Sequence, residues 1–167
     1  MSEKLKIKKA AKTAKIISIV LFCIYILMTI VLLVLAIMFR LSNTLRELLV
    51  KMQVKDNVFI EYFVSQAFAS VLVFFFIKLF QTIQLKETPF CLNVVQALKR
   101  ISIFILVEAT VKNFFSRLVA GAFSGNLHIS FQLTFEANSF IIGIALLLVS
   151  IIFEYGIKLQ KQDDETL

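Results

Sequence analysis

The sequence predicts an all-α fold in one domain spanning residues 1–167: an integral membrane four-helix bundle with a short strand-like outer loop. Three observations predict it. Hydrophobic residues make up 59% of the chain and charged residues 17%, and the mean hydropathy is +0.89. Long uncharged or sparsely charged runs recur along the chain, and lysine and arginine gather at their ends. An average soluble domain is about 45–50% apolar and about 25% charged. A soluble chain this short leaves much of its surface exposed to water. Lipid is the solvent that suits this composition.

The first element is a basic head, with Lys4, Lys6, Lys8, Lys9, Lys12 and Lys15, followed by an uncharged run over 16–39. As a helix that run is about 36 Å long, enough to cross a hydrocarbon core of about 30 Å with some tilt. It is too long for the apolar part of a secretory signal, and no small-x-small cleavage site follows. It therefore reads as a retained span. The linker over 40–57 has mixed charge. Leu41, Leu45, Leu48 and Leu49 recur in it at helical spacing, which predicts an amphipathic stretch along the interface.

The second span covers about 58–80, with Glu61 near its start and Lys78 near its end. Both side chains can snorkel to the headgroups. Pro89 is the only proline of the chain. The residue before a proline is biased away from helix, so Thr88 marks a break and a new helix starts near Pro89 or Phe90. Phe90, Val94, Leu98 and Ile101 then repeat every three or four residues and lead into the third span, about 101–122.

That third span is the least apolar and carries Glu108, Lys112, Asn113 and Arg117. Gly121, Gly125 and Asn126 punctuate the next stretch. Ile129, Phe131, Leu133 and Phe135 alternate with Ser130, Gln132 and Thr134, the period of a strand. One strand alone is marginal and must pack on helix ends or headgroups. The fourth span covers about 137–157, and the polar tail ends acidic.

Orientation follows from the basic residues. With the N-terminus inside, twelve lysines and arginines fall on the inner side and five on the outer, with Lys112 inside the membrane. Cytoplasmic loops carry the excess of such residues. The expected location is the cell membrane, multi-pass, with both termini cytoplasmic. The basic linker over 40–57 is the one dissenting element.

Catalytic chemistry finds no foothold. The sequence has no GxSxG, HExxH, P-loop or GxGxxG pattern, which speaks against an enzyme. One histidine and two isolated cysteines do not make a zinc site. No cofactor or metal is expected. The net charge of +7 sits at the ends of apolar runs, so membrane lipid, not nucleic acid, is the expected partner. The basic head reads as an orientation signal that also attracts anionic lipid, or as a docking site for a cytoplasmic protein.

The candidate intramembrane polar site is Glu108, Lys112 and Asn113. Glu108 and Lys112 are four apart and share a helix face, with the glutamate first, the favourable order. A lone charge in mid-membrane costs roughly 2.5–3.5 kcal/mol on insertion scales, and pairing lowers that. The site reads either as an ion or proton relay or as a structural ion pair with Asn113 as glue. Glu61 reads as interfacial, and His128 as an exposed loop residue or an external pH sensor.

Two segments, ETPFCLNVVQALKRISIFIL around Thr88 and IIFEYGIKLQKQDDETL at the end, carry a family likeness. With four spans and this length, the chain resembles the bacterial membrane proteins grouped as domain-of-unknown-function family 2975. Pro89, Phe90 and Asn93 match that family's box before the third span. Cys91 and Leu92 depart from its usual threonine and acidic residue, removing a helix-capping hydroxyl and a first-turn carboxylate. Phe153, Gly156, Leu159, Gln160, Asp164 and Thr166 match the stretch after the fourth span.

Both boxes fall on the cytoplasmic side. Together with Glu154, which shares a face with Lys158 four residues on, they form a candidate cytoplasmic interaction face. The resemblance implies a neighbouring helix-turn-helix transcriptional regulator as partner. The leading expectation is therefore a bacterial multi-pass membrane protein with a non-enzymatic regulatory or interaction role. The rivals are a small transporter or channel using Glu108 and Lys112, and an immunity-type protein that meets a peptide toxin through the strand-like loop.

Overall fold

The computed structural model describes residues 3–42, 58–86, 90–124 and 136–166. They form four helices: α1 Glu3–Leu41, α2 Val58–Lys86, α3 Leu92–Ser124 and α4 Ala137–Thr166. The fold is all-α, with no strand among the described residues. The alternating stretch over 129–135, the linker over 43–57 and Pro89 lie outside the described residues.

Three helices run past the ends of their apolar runs. α1 begins at Glu3 and takes in the basic head, giving 39 residues or about 58 Å. α2 continues to Lys86 and α4 to Thr166. The reason is local. Alanine, lysine, glutamine and glutamate are good helix formers, and none of these extensions contains a proline. Apolarity ends at the edge of the lipid; helical propensity does not.

The helix starts are capped by backbone. The Cys91 carbonyl accepts from the Val94 and Val95 N–H groups at 3.0 and 3.2 Å, opening α3. The Glu136 carbonyl accepts from the Phe140 N–H at 3.1 Å, opening α4. The Ser139 hydroxyl donates to the Glu136 carboxylate at 3.3 Å, within the first turn.

Among the described residues, three helices are long and apolar enough to cross a membrane: Leu5–Met38, Val58–Lys86 and Ala137–Gln162. α3 is as long, at 33 residues, but carries Lys99, Arg100, Glu108, Lys112 and Arg117 along its length. Most residues of α1 between Ile16 and Met38 are exposed, and they are almost all aliphatic. In water that surface would be untenable; in lipid it is ordinary.

The chain divides into two compact units. Unit 1 takes Met1–Phe22, Val71–Ala109 and Glu136–Leu167; unit 2 takes Cys23–Ser70 and Thr110–Phe135. In unit 1 the core is a cluster of Leu79, Val94, Ile101 and Ile105, with Phe75, Phe76, Ile83, Leu98 and Leu146 packed around it. Phe75 meets Phe104 edge-on at 5.4 Å, and Phe22 meets Phe74 at 6.2 Å.

In unit 2, Ile60, Val64, Ser116 and Ala120 are buried, and Phe68 meets Phe115 edge-on at 6.2 Å. Four of the buried hydroxyls bond within their own helices, while the Ser116 hydroxyl has no hydrogen-bond partner among the described residues. Ser18 donates to the Ala14 carbonyl, Ser70 to Gln66, Ser102 to Lys99 and Ser150 to Leu147, at 2.7–2.9 Å. Small residues with satisfied hydroxyls let helices approach closely in an apolar medium.

Candidate functional site

The packing of α4 on α3 within unit 1 builds the part of the molecule richest in specific contacts. The packed face of α4 runs through Gly143, Leu146, Ser150, Phe153 and Ile157, at alternating three- and four-residue spacing. Ser150 on α4 and Ser102 on α3 are both fully buried. A Cβ on Gly143 would fall 2.8 Å from the Leu106 side chain, so the glycine is what allows the approach.

At the end of that seam the two motif segments meet. The Phe90 ring lies 5.4 Å from the Phe153 ring. The Lys99 ammonium donates to Glu154 Oε2 at 2.5 Å, and Lys158 reaches Glu154 Oε1 at 3.2 Å. One half-buried carboxylate thus joins a cation from α3 to one from its own helix. The Glu154–Lys158 pair follows from their spacing. Lys99 was missed by sequence reasoning, although it falls on the packed side of α3, between buried Val95 and Ser102.

The other candidate face residues are more open. Asn93, Leu159 and Gln160 are exposed. Gly156 is exposed as well, and a Cβ there would meet nothing within 4 Å, so packing does not require a glycine at that position. Asp164 and Thr166 lie on the last turns of α4, with side chains outside the described set, as Pro89 is altogether. Leu85, Phe90, Leu92 and Tyr155 add exposed apolar surface at the same end of unit 1.

The polar residues of the third span have a different setting. Glu108, Lys112 and Asn113 are half-buried on α3. Buried Ile105, Ala109, Ser116 and Ala120 recur along that helix at four- and seven-residue spacing, and Lys112 falls on the same stripe. Glu108 belongs to unit 1, and Lys112 and Asn113 to unit 2.

Within unit 1 the Glu136 N–H donates to the Ala109 carbonyl at 3.2 Å. α4 therefore starts against the middle of α3, one residue along from Glu108. A second carboxylate, Glu136, is carried to the turn that holds Glu108. In the sequence it only precedes the fourth span. Glu61 is exposed, and His128 lies outside the described residues.

Among the described residues no group of three or more His, Cys, Asp or Glu could hold a metal ion. Cys23 and Cys91 are both free. The chain matches no family model, no characterised protein and no solved structure.

Proposed function

We propose that this chain is a four-span integral membrane protein, with both termini in the cytoplasm, that acts without catalysis as an interaction partner at its inner end. The observation that carries the reading is the meeting of two remote segments there: Phe90 against Phe153, and Lys99 against Glu154. A docking surface needs side chains fixed on rigid elements. The core cluster of unit 1 lies directly behind this end, with Val94 and Ile101 almost wholly buried. Exposed Phe90, Asn93, Tyr155, Leu159 and Gln160 surround the junction.

The distribution of basic residues supports the orientation. The twelve basic residues assigned to the inner side by charge all belong to unit 1, while Arg40 and Arg117 belong to unit 2. The sequence likeness to family 2975 supports a helix-turn-helix regulator as the soluble partner. Co-purification with the regulator encoded beside this chain tests the reading. Binding that is lost with Phe90→Ala and Asn93→Ala supports it. No binding, together with unchanged expression of the regulator's targets on deletion, sinks it.

A second reading has one specific observation behind it. The start of α4 at Ala109 sets Glu136 near Glu108, and an intramembrane carboxylate is a functional pointer. On this reading the chain is a small transporter or channel, and Glu108→Gln abolishes flux in proteoliposomes; retained flux removes Glu108 from the path. The immunity-type alternative rests on residues 129–135 and is tested by toxin susceptibility after deletion.

A further inference from the structure

Among the described residues the buried serines are Ser18, Ser70, Ser102, Ser116 and Ser150. Four of them donate to a carbonyl three or four residues earlier in their own helix. Ser116 is the exception: it is 7% exposed, and its hydroxyl has no hydrogen-bond partner among the described residues. Its Oγ is thus turned off the backbone of α3, the kind of acceptor that the other four use.

A second such atom lies in the same unit. Gln66 Oε1 on α2 is buried and also has no partner among the described residues. Phe68, two residues on from Gln66, meets Phe115, the neighbour of Ser116, at 6.2 Å. Both atoms therefore lie at one level of unit 2. Lys112 and Asn113, four and three residues before Ser116, share its side of α3 and are half-buried. Ile60, Val64 and Ala120, also buried in this unit, offer no polar side-chain group. The Ser70 hydroxyl is already engaged, donating to the Gln66 carbonyl.

Buried polar atoms in folded proteins are almost always hydrogen-bonded, to protein or to ordered water. Leaving one bare is unfavourable, and most of all in an apolar medium. We propose that the interior of unit 2 binds water, held at the Ser116 hydroxyl and at the Gln66 carboxamide. The hydroxyl can both donate to a water and accept from it, whereas Gln66 Oε1 accepts. At Ser116 the preceding turn supplies Asn113 and Lys112 as further polar neighbours, in keeping with the roughly three hydrogen bonds that a buried water makes. An acyl chain or an apolar ligand at either place would leave the polar atom bare. The site is independent of the docking end proposed above, which belongs to unit 1, and it gives the charged third span a hydrated interior.

The test is water-edited solid-state nuclear magnetic resonance on the full, isotopically labelled chain in lipid bilayers. Magnetisation passes from water to the side chains that touch it. Ser116 Cβ and Gln66 Cδ are expected to receive it as quickly as the exposed Gln160 does. Ser70, Ser102 and Ser150, buried and bonded to their own helices, are expected to receive little. Sequential correlations in the unaltered chain assign the signals, so the result does not depend on any variant folding. Ser116→Ala adds a check by sign. It lowers the unfolding midpoint where water holds the hydroxyl, and raises it where the hydroxyl is bare. Transfer to Ser116 or to Gln66 no faster than to Ser70 overturns the proposal, and so does a raised midpoint for Ser116→Ala.

Discussion

Gly143 of α4 lies so close to Leu106 of α3 that a Cβ on the glycine would sit 2.8 Å from Leu106 Cγ and 3.3 Å from its backbone nitrogen. The first contact could be relieved by a rotamer change; the second requires the helices to separate. Gly143→Ala is expected to destabilise the protein by about 1–3 kcal/mol, the usual range for overpacking, despite gaining helix propensity of up to about 1 kcal/mol. Gly156→Ala meets open space and should be neutral or slightly stabilising. Unfolding midpoints in detergent compare the two. Equal effects would refute the close approach.

Further along the same seam, Ser150 is fully buried and donates only to the Leu147 carbonyl of its own helix, at 2.7 Å. Ser150→Ala therefore removes a local bond and leaves no remote partner stranded, a loss of about 1 kcal/mol or less. Ser150→Leu adds volume where α4 meets α3 and should cost about 1–3 kcal/mol. The ordering of the two midpoints is the check; a leucine variant as stable as the alanine one would mean that the seam has room.

The Lys99–Glu154–Lys158 junction predicts an asymmetry between its two cations. The Lys99 side chain is 37% exposed and the Lys158 side chain 68%. Screening by water and salt weakens the more exposed pair. Lys99→Gln should lower the unfolding midpoint more than Lys158→Gln, and raising the salt concentration should erase the Lys158 effect first. In a double-mutant cycle, Lys99→Gln and Glu154→Gln should be non-additive, because they remove the same contact. Strict additivity would show that the pair does not form.

The helices were legible in the sequence because lipid imposes a simple rule: long apolar runs must be helical to satisfy their own backbone. The start of α3 near Phe90 was legible from the proline break and from the stripe of Phe90, Val94, Leu98 and Ile101. The extensions of α1, α2 and α4 were not, since a polar helix and a polar tail look alike in hydropathy. Pairing between helices was the least legible. Lys99 and Glu154 are 55 residues apart, and no local pattern says that they meet. In the sequence Gly143 is one small residue in an aliphatic run, yet its contact with Leu106 fixes how closely α4 approaches α3. In the sequence Glu136 merely precedes the fourth span, and only the bond from its N–H to the Ala109 carbonyl sets it beside the turn of Glu108.

Topology gives the broadest prediction. Cys23 is exposed on the uncharged run of α1, and Cys91 is half-buried at the start of α3. A thiol that faces lipid is out of reach of a reagent that stays in water. Intact cells treated with a membrane-impermeant maleimide should therefore label neither cysteine. Inside-out vesicles should expose Cys91 to slow labelling, and Cys23 should react only after denaturation. Ser42 closes α1 at the opposite end from the basic head, its N–H donating to the Met38 carbonyl at 3.0 Å. Ser42→Cys in a background free of other cysteines should label in intact cells. If that cysteine labels only in inside-out vesicles, α1 runs the other way, and the inner end that carries Lys99 and Glu154 faces out.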